Sequence, residues 1–158
     1  MSALGRINIV EEDPDQPDVV PLIRALDVFH SELYPAESNH FIDIAALKDP
    51  SVTFVVARIE GVAVGCGALV RQPDGSGEIK RMYIAPATRG QGLGRHILQI
   101  LLNIADDQGL TPVFLETGIH NLEALSLYRS LGFHERGPFG AYAEDPNSIF
   151  MERKVPLR

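Results

Sequence analysis

The chain has 158 residues, 45% of them hydrophobic and 22% charged, which is typical of a globular protein, and we expect residues 1–158 to form a single domain. A formal net charge of −7 disfavours a nucleic-acid partner, and no apolar run is long enough to span a bilayer. The single cysteine, Cys66, excludes an internal disulfide and a cysteine metal cluster. With no apolar signal core near Met1, the expected location is the cytoplasm.

The first half of the chain shows strand and helix patterns in turn. Residues 6–10 alternate as a strand, and apolar residues recur at helical spacing over 19–33. Residues 41–47 are compatible with a short second helix that closes before Pro50. The β-branched segments 52–59 and 62–70 predict a hairpin that turns at Glu60 and Gly61, and residues 78–84 predict a further strand.

The second half predicts two more helices and three more strands. An amphipathic helix is expected over 92–108 and ends at Gly109. The strand 113–117 returns after this helix, so it should run parallel to the strand 78–84. Asn121 can cap a helix that ends at Gly132, and residues 133–136 and 149–154 read as a closing pair of strands.

A glycine-rich loop joins the strand 78–84 to the amphipathic helix. It reads Arg89-Gly90-Gln91-Gly92-Leu93-Gly94-Arg95. Free N–H groups at a helix start can bind an anion, and glycines let a phosphate approach, so the loop is a candidate pyrophosphate cradle. Neither the dinucleotide pattern G-x-G-x-x-G nor the P-loop pattern fits the glycine spacing. A plain turn that only ends the strand is the alternative.

The spacing R-x-x-G-x-G from Arg89 to Gly94 resembles the acetyl-coenzyme A loop of the GNAT N-acetyltransferases. A second motif agrees: the segment from Asn121 through Tyr128 to Phe133 is similar to the family's N-x-x-A-x-x-L-Y-x-x-x-G-F helix. The predicted order of elements is also that of the family, over nearly the whole chain. The resemblance implies a mixed α/β GNAT fold, with a central, mostly antiparallel sheet flanked by helices, whose parallel fourth and fifth strands splay around the cofactor.

The resemblance also implies the reaction. A small bacterial member of the family would move an acetyl group from acetyl-coenzyme A to a primary amine of a small molecule by direct attack in a ternary complex, without a metal. The alternatives are an acetyltransferase for protein lysines or peptide N-termini, and a non-catalytic acyl-coenzyme A-binding module. The implied cofactor-binding residues are Met82, Tyr83, Ile84, Arg89, Gly90, Gln91, Gly92, Leu93, Gly94, Arg95 and Asn121. For Asn121 a plain N-cap is the alternative.

The transfer needs a neutral amine, a stabilised oxyanion and a proton for the departing thiolate. Glu78 is the first candidate for the general base, with an ion pair to Lys80 or Arg81 as its alternative. Glu116 is the second candidate, and a water chain could replace both. By resemblance Tyr128 is the general acid, with a core tyrosine as its alternative, and an N–H near Met82 would meet the oxyanion.

Further expectations concern the faces of the strand 78–84, the acceptor, the oligomeric state and metal binding. A two-residue period places Glu78, Lys80, Met82 and Ile84 on one face. By resemblance the acceptor, an amine or amino-acid-like molecule, lies over the first two helices and the last strand loop. A homodimer is plausible, and the histidines do not form a metal site. The residues expected around the acceptor are His30, Glu32, Tyr34, Glu37, Ser38, Asn39, His40, Arg81, Tyr142, Glu144 and Asp145.

Overall fold

The computed structural model of the chain describes residues 6–35 and 43–154. The strands are β1 (Ile7–Glu11), β2 (Val52–Ile59), β3 (Val62–Arg71), β4 (Gly77–Ile84), β5 (Val113–Gly118), β6 (His134–Arg136) and β7 (Ser148–Arg153). The helices are α1 (Val20–Leu33), α2 (Ile44–Leu47), α3 (Leu93–Asp107) and α4 (Leu122–Ser130), and a 3₁₀ turn spans Pro86–Thr88.

The predicted order of elements is confirmed. Helix α2 is shorter than predicted: it begins at Ile44, because the Asp43 carboxylate accepts a hydrogen bond from the Ala46 N–H at 2.8 Å and so acts as its N-cap. Residues 41 and 42, which the prediction included in this helix, lie outside the described residues. No helix in the described part of the chain has the length and apolar character needed to cross a bilayer.

The strands form one seven-stranded sheet in the order β1-β2-β3-β4-β5-β7-β6. Only β4 and β5 are parallel, and every other neighbouring pair is antiparallel. Strands β4 and β5 pair over only three residues each, from Gly77 opposite Val113 to Ile79 opposite Leu115. Beyond that point the two strands diverge, as the expected fold requires, and no strand among the described residues pairs with β4 on its β5 side.

A bulge in β4 accompanies the divergence. Cys66 lies opposite Tyr83 and Ala68 opposite Lys80, so two residues of β4 face one residue of β3. One of these two, Arg81, has a left-handed backbone with φ of 59°. The extra residue reverses the alternation of side chains along the rest of the strand.

The prediction that Glu78, Lys80, Met82 and Ile84 share one face is therefore wrong. A Cβ added at Gly67 would lie 2.8 Å from Met82 Sδ and 2.9 Å from Ile97 Cγ2, so Met82 points towards α3. Ile84 lies on the same side, whereas Lys80 pairs with Ala68, which packs in the core below α1. The strand thus turns polar residues towards α1 before the bulge and apolar residues towards α3 after it.

Two apolar clusters cover the two faces of the sheet. One joins α1 and α2 to β2 and β3 through Val19, Ile23, Leu47, Phe54, Val56, Cys66 and Ala68. The other packs α3 and α4 on the opposite face, through residues that include Leu93, Ile97, Leu101, Leu115, Leu125 and Tyr128. The thiol of Cys66 lies inside the first cluster, and burial raises its pKa to about 12, so it is a poor nucleophile at neutral pH.

The acidic segment that follows β1 has a structural partner. Arg58 of β2 binds Glu12 at 2.9 Å and Asp18 at 2.6 Å. The hydrogen bond from Arg58 lowers the pKa of Glu12. Part of the acidic cluster therefore fastens the segment after β1 to the sheet and is not a binding surface for cations.

We predict that Gly67→Val destabilises the fold, because its side chain would collide with Met82 and Ile97 where α3 packs on the bulge. Overpacking of this kind costs about 1–3 kcal/mol, measured as the free energy of unfolding in urea. Gly137→Ala is the matched control, since a Cβ there meets no atom within 4 Å. Equal stability of the two variants would contradict the close packing at the bulge.

Candidate active site

A cavity of about 620 Å³ opens where β4 and β5 diverge. This volume lies in the usual range for small-molecule sites. Its wall combines the end of β4, the loop after it, the first turns of α3 and α4, and two residues of α1. The lining residues are Leu26, Phe29, Met82, Tyr83, Ile84, Thr88, Arg89, Gly90, Gly92, Leu93, Gly94, Arg95, His120, Asn121, Leu122, Glu123, Ala124, Leu127 and Tyr128.

The N-terminus of α3 faces this cavity without a side-chain cap. Gly92 is the N-cap residue, with a left-handed φ of 83°, and the first turn holds no acidic residue. The N–H groups of the first helical residues have no partner within a helix, and the helix dipole adds positive potential there. Gly94 has another role, because a Cβ there would lie 3.4 Å from Leu127 and fill space between α3 and α4. The arrangement suits an anionic group.

Two arginines flank this helix start. Arg89 Nε donates to the Ile84 carbonyl at 2.8 Å, and its guanidinium lies 5.4 Å from the centre of the Tyr83 ring. Arg95 donates to Ser130 Oγ at 2.9 Å. These contacts hold two positive charges at the cavity wall. Gln91 is exposed and lies outside the wall, unlike the other predicted cofactor-binding residues.

The N-terminus of α4 opens on the same cavity. Asn121 is its N-cap residue, yet its side chain makes no capping hydrogen bond. Asn121 thus occupies the N-cap position that the sequence predicts, and its contact with the cofactor stays a prediction. Asn121 lines the cavity together with Ala124 and Leu127, which belong to the same sequence motif.

Tyr128 lies in the cavity wall and is 7% exposed. Its ring packs edge-on against Phe133, with 5.8 Å between centroids. Burial raises the pKa of the phenol to about 12, so the hydroxyl stays protonated at neutral pH. Within the described residues this hydroxyl has no hydrogen-bond partner. The side chain is thus part of the core and a proton donor available to the cavity.

Glu78 lies outside the cavity wall, in the section where β4 and β5 still pair. Its carboxylate contacts Lys80 Nζ at 3.3 Å and accepts from Tyr142 Oη at 2.6 Å. The ion pair with Lys80 is the alternative that the sequence left open. The role of Glu78 as general base stays a prediction.

Glu116 also lies outside the cavity wall, but at a different place along the strands. It lies one residue beyond Leu115, where the pairing of β4 with β5 ends. Its carboxylate accepts a hydrogen bond from Ser148 Oγ at 2.6 Å. Its charge also acts on His30, whose pKa is lowered by burial and partly restored by Glu116. Glu116 therefore stands next to the opening in the sheet, on the side of α1.

The expected acceptor residues are only partly brought together. Arg81 binds Asp27 of α1, so its guanidinium already has a carboxylate partner. Tyr34 packs against Gly118, and its hydroxyl accepts from the His120 N–H at 3.0 Å. Glu32 and Glu144 are exposed, and the Asp145 carboxylate accepts from the Asn147 N–H at 2.8 Å. Glu37, Ser38, Asn39 and His40 lie outside the described residues.

The sequence missed the part of the cavity that α1 supplies. Leu26 and Phe29 of α1 line the cavity. Thr88 and His120, from the loops before α3 and α4, are two further lining residues that the sequence did not indicate. Helical spacing showed that α1 has an apolar face, but not that this helix crosses β4. Over residues 6–35 and 43–154, no group of three or more His, Cys, Asp or Glu side chains is arranged to hold a metal ion.

Known proteins resemble this chain in sequence and fold. The model of the acetyltransferase (GNAT) family matches residues 19–133. The IAA acetyltransferase of Azospirillum brasilense is 45% identical over 96% of this chain and 100% of its own length.

Solved structures agree with this match. The crystal structure of a Klebsiella pneumoniae protein assigned as an acyl-CoA N-acyltransferase is 36% identical, with a TM-score of 0.81 over 94% of this chain and 97% of its own. The PaiA N-acetyltransferase of Thermoplasma acidophilum, solved with coenzyme A, shares the fold at 17% identity, with a TM-score of 0.74 over 95% and 99% of the two chains. The present chain therefore belongs to the GNAT acetyltransferase family and is an acyl-CoA N-acetyltransferase.

Proposed function

We propose that this enzyme transfers an acetyl group from acetyl-coenzyme A to a primary amine of a small molecule, by direct attack in a ternary complex. The observation that carries the proposal is the uncapped start of α3, which opens on a cavity at the divergence of β4 and β5 with Tyr128 in its wall. The extent of the domain, residues 1–158, and a cytoplasmic location stay predictions.

The donor set fits the proposed co-substrate. The N–H groups of Leu93, Gly94 and Arg95, with the charges of Arg89 and Arg95, would hold a pyrophosphate. The main chain of β4 after Ile79, which lacks a strand partner on the β5 side, would pair with an extended polar arm. An N–H of Met82 or Tyr83 in the same stretch would stabilise the oxyanion.

The acceptor must lose a proton before it attacks. An alkylamine with a pKa of about 10.4 is neutral in only about one molecule in a thousand at pH 7. We propose Glu116 as the base that takes this proton, directly or through water, because it lies where the strands separate. Glu78, within the paired section, is the alternative.

Tyr128 would supply the proton that the departing thiolate takes up. The departing thiolate has a conjugate acid with a pKa of about 8.5, and a protonated phenol in the wall can donate to it. Cys66 is fully buried and the pKa of its thiol is raised, so this cysteine is not suited to carry the acetyl group. We therefore propose direct transfer without an acetylated cysteine.

The segment 137–147 between β6 and β7 supports a small acceptor. Phe139 of this segment is buried and stacks on Phe114 of β5, with 4.6 Å between ring centroids. Tyr142 packs against Phe150 of β7 at 5.5 Å. The segment thus lies on the sheet beside the opening, and we propose that it borders the approach on the α1 side, which favours a small molecule over a polypeptide.

We predict that Gly92→Val abolishes binding of coenzyme A, measured by calorimetric titration, because a branched side chain does not tolerate a φ of 83° and would crowd the helix start. Gly75→Val is the matched control: Gly75 has a similar φ of 89° and equally open surroundings, but lies in the β3–β4 turn, away from the cavity. Loss of binding in both variants would mean that strain alone explains the effect.

We predict that Tyr128→Phe lowers kcat by about a hundredfold and leaves the affinity for coenzyme A unchanged, because only the proton donor is removed. With a pKa of about 12 for Tyr128, kcat of the wild type should not decline up to about pH 10 through ionisation of this phenol. Release of free thiol is the measurement. Full activity of the variant would remove Tyr128 from the mechanism.

We predict that Glu116→Gln lowers kcat/KM for the amine by about a hundredfold at pH 7, and that the deficit shrinks at higher pH, where the amine is already neutral in solution. Glu152→Gln is the control, since Glu152 lies opposite Phe114 in the β5–β7 ladder, two pairs away from the pair that contains Glu116. A deficit that does not change with pH would argue against proton abstraction by Glu116.

A further inference from the structure

Glu78, Lys80 and Tyr142 form a compact polar cluster on the α1 side of the sheet. Tyr142 Oη donates to a Glu78 carboxylate oxygen at 2.6 Å and accepts from Lys80 Nζ at 2.6 Å. Lys80 Nζ lies 3.3 Å from the same carboxylate. The Glu78 side chain is 8% exposed and that of Lys80 17%. Each of the three side chains therefore contacts the other two through a hydrogen bond or an ion pair. In these largely buried surroundings an unpaired charge would be costly.

The cluster joins parts of the chain that are far apart in sequence. Tyr142 stands 64 residues after Glu78, in the segment 137–147. Elsewhere the segment is held by ring packing, with Phe139 between Phe114 and Phe150, and by the Asn147 carbonyl, which accepts from the Ile119 N–H at 3.1 Å. Tyr142 is the polar attachment of the segment to β4.

The attachment lies next to the opening in the sheet. Lys80 is the first residue of β4 after Ile79, the last residue that pairs with β5. The charge of Glu116, the proposed base, contributes to the raised pKa of Tyr142, after burial and the charge of Glu78. Tyr142 packs on Phe150, which lies opposite Glu116, so both residues lie at the edge through which an acceptor would approach.

We propose that Glu78, Lys80 and Tyr142 form a latch that fastens the segment 137–147 to β4 and thereby fixes the acceptor-side wall. In this arrangement Glu78 is a positioning residue and not the general base. The inference rests on the proposed function, because it concerns the acceptor side of the same site. The contacts between these three side chains then hold the wall in place, and the chemistry belongs to Glu116 and Tyr128.

The consequence for catalysis follows from the position of the latch. Opening it moves a wall of the acceptor site but leaves the helix starts and Tyr128 in place. We therefore expect weaker binding of the amine, with an unchanged chemical step. A general base gives the opposite pattern, because its loss lowers kcat and alters the pH profile.

The first test measures the latch without turnover. In Tyr142→Phe the ring packing persists and both hydrogen bonds are lost, so a glutamate-specific protease should cut after the exposed Glu144 about tenfold faster than in the wild type. Glu135→Gln, which removes an exposed ion pair with Arg129, is the control and should leave that rate unchanged. Equal cleavage of Tyr142→Phe and wild type would overturn the latch.

The second test separates positioning from proton transfer, with acetyl-coenzyme A at saturation and 2-phenylethylamine as the probe. Tyr142→Phe and Glu78→Gln should each raise KM for the amine several-fold, with kcat within about twofold and an unaltered pH profile. The double variant should be no worse than the worse single variant, because both break one latch. A loss of kcat of about a hundredfold in Glu78→Gln alone would identify Glu78 as the base and overturn the proposal.

The two tests also distinguish failure of the latch from failure of the proposed function. If the wild type binds acetyl-coenzyme A but does not acetylate the probe, the probe lies outside the acceptor class, and the cleavage rates still decide the latch. If the wild type binds no coenzyme A, the proposed function fails while the cleavage rates remain interpretable. Slow cleavage in wild type and fast cleavage in Tyr142→Phe support the latch in either case.

Discussion

The site depends on a limit to strand pairing: β4 can pair with β5 over Gly77–Ile79 and no further. Just after that point β4 has a bulge with one extra residue, where Arg81 has a left-handed backbone conformation and the strand bends. A main chain that loses its neighbour inside a sheet carries N–H and C=O groups that need other partners. The opening therefore supplies both the space for an extended ligand and the polar groups to bind it.

The two faces of the opening differ in electrostatic character. On the α3 and α4 side, two uncapped helix starts and the guanidinium groups of Arg89 and Arg95 create positive potential. On the α1 side, the cations of β4 already have carboxylate partners, since Arg81 binds Asp27 and Lys80 binds Glu78. An anionic co-substrate is thus directed to one face, while the charges on the other face mainly fix side chains in place.

Local patterns in the sequence were enough to predict the elements and most of the residues that line the cavity on the α3 and α4 side. The glycine loop and the helix after Asn121 are continuous segments, so their spacing predicts their geometry directly. The faces of β4 were mispredicted because Arg81 adopts a left-handed conformation that residue type does not signal outside glycine, asparagine and aspartate. The partner of Glu78 was missed for another reason: Tyr142 reaches it across 64 residues, and the packing of α1 against β4 is equally non-local.

The positions of the two proposed proton-transfer groups constrain the proposed mechanism. Tyr128 packs with α3 on one face of the sheet, and Glu116 lies on the face of α1. In an intact sheet these groups would be separated by a layer of hydrogen-bonded backbone. The divergence of β4 and β5 removes that layer, so an amine arriving from the α1 side and a thiolate leaving towards α4 can meet at one point. In the proposed mechanism, attack across the opening needs no covalent intermediate, and the fully buried Cys66 takes no part in it.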